Sequence, residues 1–263
     1  MIPKIIHYCW FGGKPLPEDA KKYIESWKKY CPDYQIKEWN ESNFDLNMYP
    51  YVREAYDNRK FAFVSDVARL YAMYTEGGIY MDTDVEVLKP LDDLLKYDGV
   101  SGFESSIQIP TGLMASKRLH PLVKEWLDEY NDLHFVKEDS SLDMTTNVTR
   151  ITASCLKYGF VADGKMQTIN DFTFFPSDYF CPKNAKTGVI ELTGNTYTIH
   201  HFSGSWLEDW QLKIKHYNHW LNKKSLPFVI KRLLSNTYHI SIAFRYLGLR
   251  KGISYLMSKV KNK

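Results

Sequence analysis

Apolar positions along the first two hundred residues follow two periods, one of strands and one of helices. Residues 3–10 and 34–39 are short stretches rich in Ile, Tyr and Trp, the pattern of strands. Between them Ala20, Tyr23, Ile24 and Trp27 fall at i, i+3, i+4 and i+7, which predicts a helix with one apolar face. A second helix is predicted over residues 61–76, with Phe63, Val67, Leu70, Tyr71 and Tyr74 on one side. Gly77-Gly78 ends it, because glycine accepts a left-handed cap. Ile79-Tyr80-Met81 then reads as a buried strand running into Asp82-Thr83-Asp84. Further helices are predicted over 119–130 and 145–158, and a late strand over 196–199 runs into His200-His201. Strands alternating with amphipathic helices predict an α/β domain.

Composition narrows the picture. With 44% hydrophobic and 25% charged residues and scattered Gly and Pro, the chain is neither disordered, collagen-like nor coiled coil. Cys9, Cys31, Cys155 and Cys181 lie far apart and read as reduced cytosolic thiols. No run approaches the roughly 20 apolar residues of a membrane span. The start, Met1-Ile2-Pro3-Lys4, leads straight into a core strand, so a cytoplasmic chain is expected. Charge is uneven. Residues 212–263 hold twelve Lys or Arg and no acid, which leaves 22 basic against 31 acidic residues over 1–211. An acidic body would repel phosphates, so nucleic acid is not an expected partner. The expected organisation is a catalytic domain over 1–211 and a basic amphipathic helical tail over 212–263.

The strongest candidate chemistry lies in Asp82-Thr83-Asp84. Two carboxylates one residue apart at a strand end can converge on one divalent ion, and hard oxygen ligands suit Mg²⁺ or Mn²⁺ holding a diphosphate. Ligands of open α/β sheets gather outside the carboxyl ends of strands, where this pair would sit. The plain alternative is a solvated turn. Asp66 and Arg69, three apart on a helix, face the same way, to pair with each other or to grip a polyhydroxylated ligand. His200-His201 precede the glycine turn of Phe202-Ser203-Gly204-Ser205-Trp206. A strand points adjacent residues to opposite faces, so at most one of these histidines can reach the same metal, where its nitrogen favours Mn²⁺. Trp10, ahead of Phe11-Gly12-Gly13, is either a core residue or an indole that stacks on a nucleobase.

Taken in order, Ile6–Gly13, Ser65-Asp66-x-x-Arg69, Gly77-Gly78-Ile79-Tyr80-x-Asp82-x-Asp84 and His200-His201-x-x-Gly204-Ser205-Trp206 resemble glycosyltransferase family 32. Those DXD sugar transferases include yeast Golgi mannosyltransferases and bacterial capsule and surface-polysaccharide enzymes, and are related to the clostridial glucosylating toxins. The likeness spans roughly residues 2–210. It implies a GT-A fold: a Rossmann-like, nucleotide-sugar-binding mixed sheet flanked by helices. It also implies retaining transfer from a nucleotide sugar, of the UDP-hexose kind, with Mn²⁺ (or Mg²⁺). On this resemblance Trp10 stacks on the base, Asp66 and Arg69 bind the donor sugar, and Ser65 and Tyr80 join the donor site. Asp82 contacts ribose and metal, Asp84 ligates the metal, and Ser205 and Trp206 cover the diphosphate. His201, three residues before Gly204, fits the H-x-x-G metal ligand of related galactosyltransferases. Residues 145–149 depart from the Gly-Pro that many members carry there, on the acceptor side.

Front-face attack by the acceptor needs no protein nucleophile, and Glu104 and Asp143 stand as acceptor-side base candidates. The acceptor implied is a saccharide or lipid-linked saccharide in capsule or surface-polysaccharide synthesis. Two other readings are a haloacid-dehalogenase-type sugar phosphatase, with Asp82 as nucleophile, and a non-catalytic sugar-binding protein on the same fold. In the tail, Leu226, Val229, Ile230, Leu233 and Leu234 form one apolar stripe and Ile253, Leu256, Met257 and Val260 another, among lysines and arginines. They are expected to lie on an anionic membrane, which would place the protein peripherally at the inner face of the cell membrane.

Overall fold

The computed structural model describes residues 1–105, 107–185, 187–204, 207 and 209–261. They form two compact units, Met1–Lys183 with Ile190–Phe202, and Asn184–Val189 with Ser203–Lys263. The strands, all in the first unit, are β1 (Ile5–Cys9), β2 (Gln35–Trp39), β3 (Gly78–Met81), β4 (Val85–Val87), β5 (Gly99–Gly102), β6 (Leu113–Ser116), β7 (Gln167–Ile169), β8 (Phe172–Phe175) and β9 (Thr198–His200). Its helices are α1 (Glu18–Tyr30), α2 (Pro50–Asp57), α3 (Phe61–Glu76), α4 (Pro121–Asp128), α5 (Asn147–Leu156) and the short α6 (Ser177–Phe180).

Seven strands make one mixed sheet in the order β2-β1-β3-β6-β5-β8-β7, and β4 pairs with β9 in a separate antiparallel ribbon. β1 runs parallel to both β2 and β3, whereas β6 is antiparallel to β3. Side chains that alternate along a strand supply two cores, one on each face of the sheet. Ile6, Tyr8, Ile79 and Met81 join Ile24 and Trp27 of α1 on one side. Cys9 and Tyr80 join Val64, Val67, Leu70 and Trp126 on the other. This is the mixed sheet flanked by helices that the GT-A reading expects.

The sharp exit from α3 depends on two glycines. Gly77 and Gly78 have φ of +69° and +109°. A Cβ on Gly77 would lie 2.6 Å from the Arg118 backbone nitrogen, and one on Gly78 would lie 2.7 Å from the Ile5 carbonyl. Only glycine meets both the conformation and the close approach. The chain therefore turns at once from α3 into β3 and delivers Asp82 to the carboxyl edge of the sheet.

The second unit holds α7 (Asp209–Asn222) and α8 (Phe228–Lys261), the latter broken at Gly248, whose φ of 71° and ψ of 174° are not helical. They form an antiparallel hairpin. Tyr217 stacks on Tyr238 with centroids 4.0 Å apart, and Trp210 meets Tyr255 edge-on. Among the described residues, no helix is long and apolar enough to cross a membrane.

Candidate active site

β1 and β3 lie side by side with His7 opposite Tyr80, so the chain leaving β1 at Trp10 and that leaving β3 at Asp82 emerge at the same edge. Asp82 is anchored there by its N–H, which donates to the Gly112 carbonyl at 2.8 Å. Tyr80, buried, donates its hydroxyl to Asp82 Oδ1 at 2.8 Å. Three residues on, the chain enters β4, whose partner β9 sets Val85 opposite His200. The His201 N–H closes this ribbon on the Asp84 carbonyl at 2.9 Å.

That register brings His200 beside the acidic pair. Its Nε2 lies 3.2 Å from Asp84 Oδ1 and 3.9 Å from Asp82 Oδ2. One ligand atom from each of Asp82, Asp84 and His200 fits within 4.8 Å of the other two. Neighbouring ligands of an octahedral divalent ion lie roughly 3 Å apart, so these residues can close on such an ion with small adjustments. Two carboxylate oxygens with one imidazole nitrogen suit Mn²⁺ or Mg²⁺, the nitrogen favouring Mn²⁺. Burial works against charge on His200, but the Asp84 carboxylate and the Cys181 side chain outweigh it and raise its pKa well above the usual imidazole value. The field that draws a proton to this ring would equally draw a cation.

His201, the residue that the H-x-x-G spacing pointed to, is placed elsewhere. Its Nε2 is 2.8 Å from Glu86 Oε2, and its ring stacks on Tyr23 with centroids 4.5 Å apart. Pleating turns consecutive side chains to opposite faces: the register sets His200 on the face of Val85 and His201 on that of Glu86, while Asp84, just ahead of β4, reaches His200.

Behind the pair, Arg69 is a buried strut. Its Nη2 reaches Asp66 Oδ1 at 3.1 Å and Asp82 Oδ1 at 3.4 Å. Nη1 donates to the Thr111 carbonyl at 2.7 Å, and the guanidinium lies over the Tyr80 ring. Asp66 and Arg69 thus form a buried ion pair, and the arginine ties α3 to the strand end. Burial pushes the Asp66 carboxyl up to about 6 despite Arg69, which pulls the other way. Asn147, at the start of α5, was not singled out by the sequence. Its N–H donates to Asp66 Oδ2 at 3.1 Å and its Nδ2 to the Asp66 carbonyl at 2.7 Å, while Tyr130 donates to its Oδ1.

The remaining candidates divide. Trp10 is half-buried and donates Nε1 to the Lys14 carbonyl at 2.5 Å. Ser65 donates to the Phe61 carbonyl one helical turn earlier. Burial raises the Glu104 carboxyl, opposed by His200 and reinforced by Asp82 and Asp84, so Glu104 stands within electrostatic reach of the pair. Asp143 is instead bound to Arg150 and accepts the Thr145 N–H. Ser205 and Trp206 lie outside the described residues.

Residues 17–100, which carry Asp66, Arg69, Asp82 and Asp84, match the family described as the glycosyltransferase sugar-binding region containing the DXD motif. Over these residues the chain is similar to the DXD glycosyltransferases. An uncharacterized glycosyltransferase of Acanthamoeba polyphaga mimivirus is 29% identical over 198 residues, 70% of this chain and 74% of that one. Inositol phosphoceramide mannosyltransferase 3 of Schizosaccharomyces pombe is 32% identical over 126 residues, 46% of this chain and 35% of its own length. The chain therefore spans about a third of that fungal relative. A solved glycosyltransferase involved in glycosylation of the major capsid of PBCV-1 aligns with 82% of this chain and all of that one, at 14% identity and a TM-score of 0.43. The phosphatase and non-catalytic readings find no support in these matches, and the glycosyltransferase family points to a transferase.

Proposed function

We propose that this glycosyltransferase moves a hexose from a nucleoside-diphosphate sugar to a saccharide or lipid-linked saccharide, with retention, in a reaction that depends on a divalent metal. The convergence of Asp82, Asp84 and His200 at the carboxyl end of β3 is the observation that carries this reading. These three residues would hold Mn²⁺ or Mg²⁺, which supplies Lewis-acid stabilisation to a leaving diphosphate. Arg69 orients Asp82, and Tyr80 restrains the same carboxylate. Asp66, fixed by Arg69 and Asn147, offers acceptor oxygens to the hydroxyls of a donor sugar, and Trp10 offers an aromatic face to the base. The inositol phosphoceramide mannosyltransferase name of the fungal relative supports a lipid-borne acceptor and adds GDP-mannose to the UDP-hexoses as a donor to test. The capsule or surface-polysaccharide role belongs to this proposal as its biological setting.

The test is a panel of UDP-galactose, UDP-glucose, their N-acetyl forms and GDP-mannose, scored by nucleotide release with Mn²⁺, Mg²⁺ or chelator. Release of a nucleoside diphosphate from one donor, lost with chelator and in Asp84→Asn, is expected. Release that chelator and Asp84→Asn both leave intact would refute the metal assignment.

A further inference from the structure

We propose that the exposed face of α8 and the lysines ahead of it dock on an anionic lipid bilayer. The hairpin of α7 and α8 buries only part of its apolar surface. Ile242 and Ala243 are buried, and Tyr238 packs with Trp210, Ile214 and Ile242. Other large apolar side chains of the same helix point to solvent: Phe228 is 75% exposed, Val229 66% and Leu233 62%. At 100° per residue, Val229, Leu233 and Ile240 project within about 40° of one another around the axis. Over this stretch they form a ridge on the side away from Tyr238 and Ile242, which pack with α7.

Charge identifies what covers this ridge. Lys223, Lys224 and Arg232 are exposed, and residues 212–263 contain twelve basic side chains with no acid. A second copy of this face would bring like charges together with nothing to offset them. A bilayer with anionic headgroups meets both needs: acyl chains receive the apolar ridge and phosphates receive the lysines. Such lipids mark the inner face of a cell membrane. No span is required, because a helix lying in the interface inserts one side only.

The experiment uses the full chain, sedimented with vesicles of phosphatidylcholine alone or of phosphatidylcholine with phosphatidylglycerol, at low and at physiological salt. Binding to the anionic vesicles at least tenfold above the neutral ones, and weaker at higher salt, is expected. Each engaged basic residue contributes roughly fivefold to partition, so the triple variant Lys223→Glu, Lys224→Glu, Arg232→Glu should bind about 100-fold less. Val229→Asp with Leu233→Asp should also lose at least tenfold, with far-UV circular dichroism unchanged in both variants.

Three results overturn the proposal: equal partition onto neutral and anionic vesicles or none onto either, wild-type binding by the apolar variant, and a vesicle-free dimer that the apolar variant dissociates. Sedimentation is read without any donor, so failure of the transferase reading would leave this test intact.

Discussion

Gly112→Ala tests the metal-site geometry without touching a proposed ligand. Gly112 lies against His200: a Cβ built there would be 2.7 Å from the imidazole Cε1 and 2.8 Å from Nδ1. Carbon atoms settle at roughly 3.5 Å or more, so the ring must withdraw by about 0.8 Å. Metal–ligand distances tolerate only about 0.2 Å of error, and His200 Nε2 already stands 3.2 Å from Asp84 Oδ1. The expected loss is about 10–100-fold in Mn²⁺ affinity, the range seen when groups that orient a ligand are removed. Overpacking should cost about 1–3 kcal/mol, a few degrees in Tm for a chain of this size. Calorimetric titration of Mn²⁺ in the presence of the nucleoside diphosphate reads the first effect, and a thermal melt reads the second. In a His200→Ala background the alanine should add little further loss, since the ring it displaces is gone. A Gly112→Ala protein that is folded yet binds Mn²⁺ as tightly as wild type would show that His200 does not ligate.

Three further outcomes follow from the network behind the pair and from the edge of β1. Asp66 has a folded pKa near 6, above its ordinary 3.8, so the fold favours its neutral form; that contribution is full below pH about 4 and is lost as pH rises through 6. Relative to wild type, Asp66→Asn should therefore fare better at pH 7.5 than at pH 4, while transfer is lost; a stability difference that does not change between these pH values in denaturant melts would contradict this. Asn147→Ala leaves the Tyr130 hydroxyl without its partner and should cost about 1–3 kcal/mol, with a raised donor KM. Adding Tyr130→Phe should recover part of the stability but not the KM, as paired melts and kinetics would show. Trp10→Ala should weaken nucleoside diphosphate binding by about 1–3 kcal/mol, and an unchanged calorimetric affinity would return Trp10 to a purely structural role.

Much of this site was legible in the order of residues because its parts are local. Asp82 and Asp84 are two apart, Asp66 and Arg69 are one helical turn apart, and Gly77-Gly78 mark the turn that places the acidic pair at a strand end. The long amphipathic helices announce themselves by period, and β3 by its apolar run between Gly77-Gly78 and the acidic pair. β5, β6 and β8 do not, since all four residues of each are buried and no alternation of polar and apolar positions survives.

What only the tertiary structure decided are the pairings between distant segments. The choice of His200 over His201 comes from the register of β9 against β4, more than a hundred residues earlier, where a shift of one residue exchanges their faces. Asn147 meets Asp66 across 81 positions, and no spacing rule links a helix start to a carboxylate so far away. The apolar stripe of α8 was visible as a pattern, yet whether it packs or faces water depends on which side of the helix α7 covers. Local sequence sets what a residue can do within a turn or a pleat. Register and packing decide which of those capacities come within a few ångströms of one another.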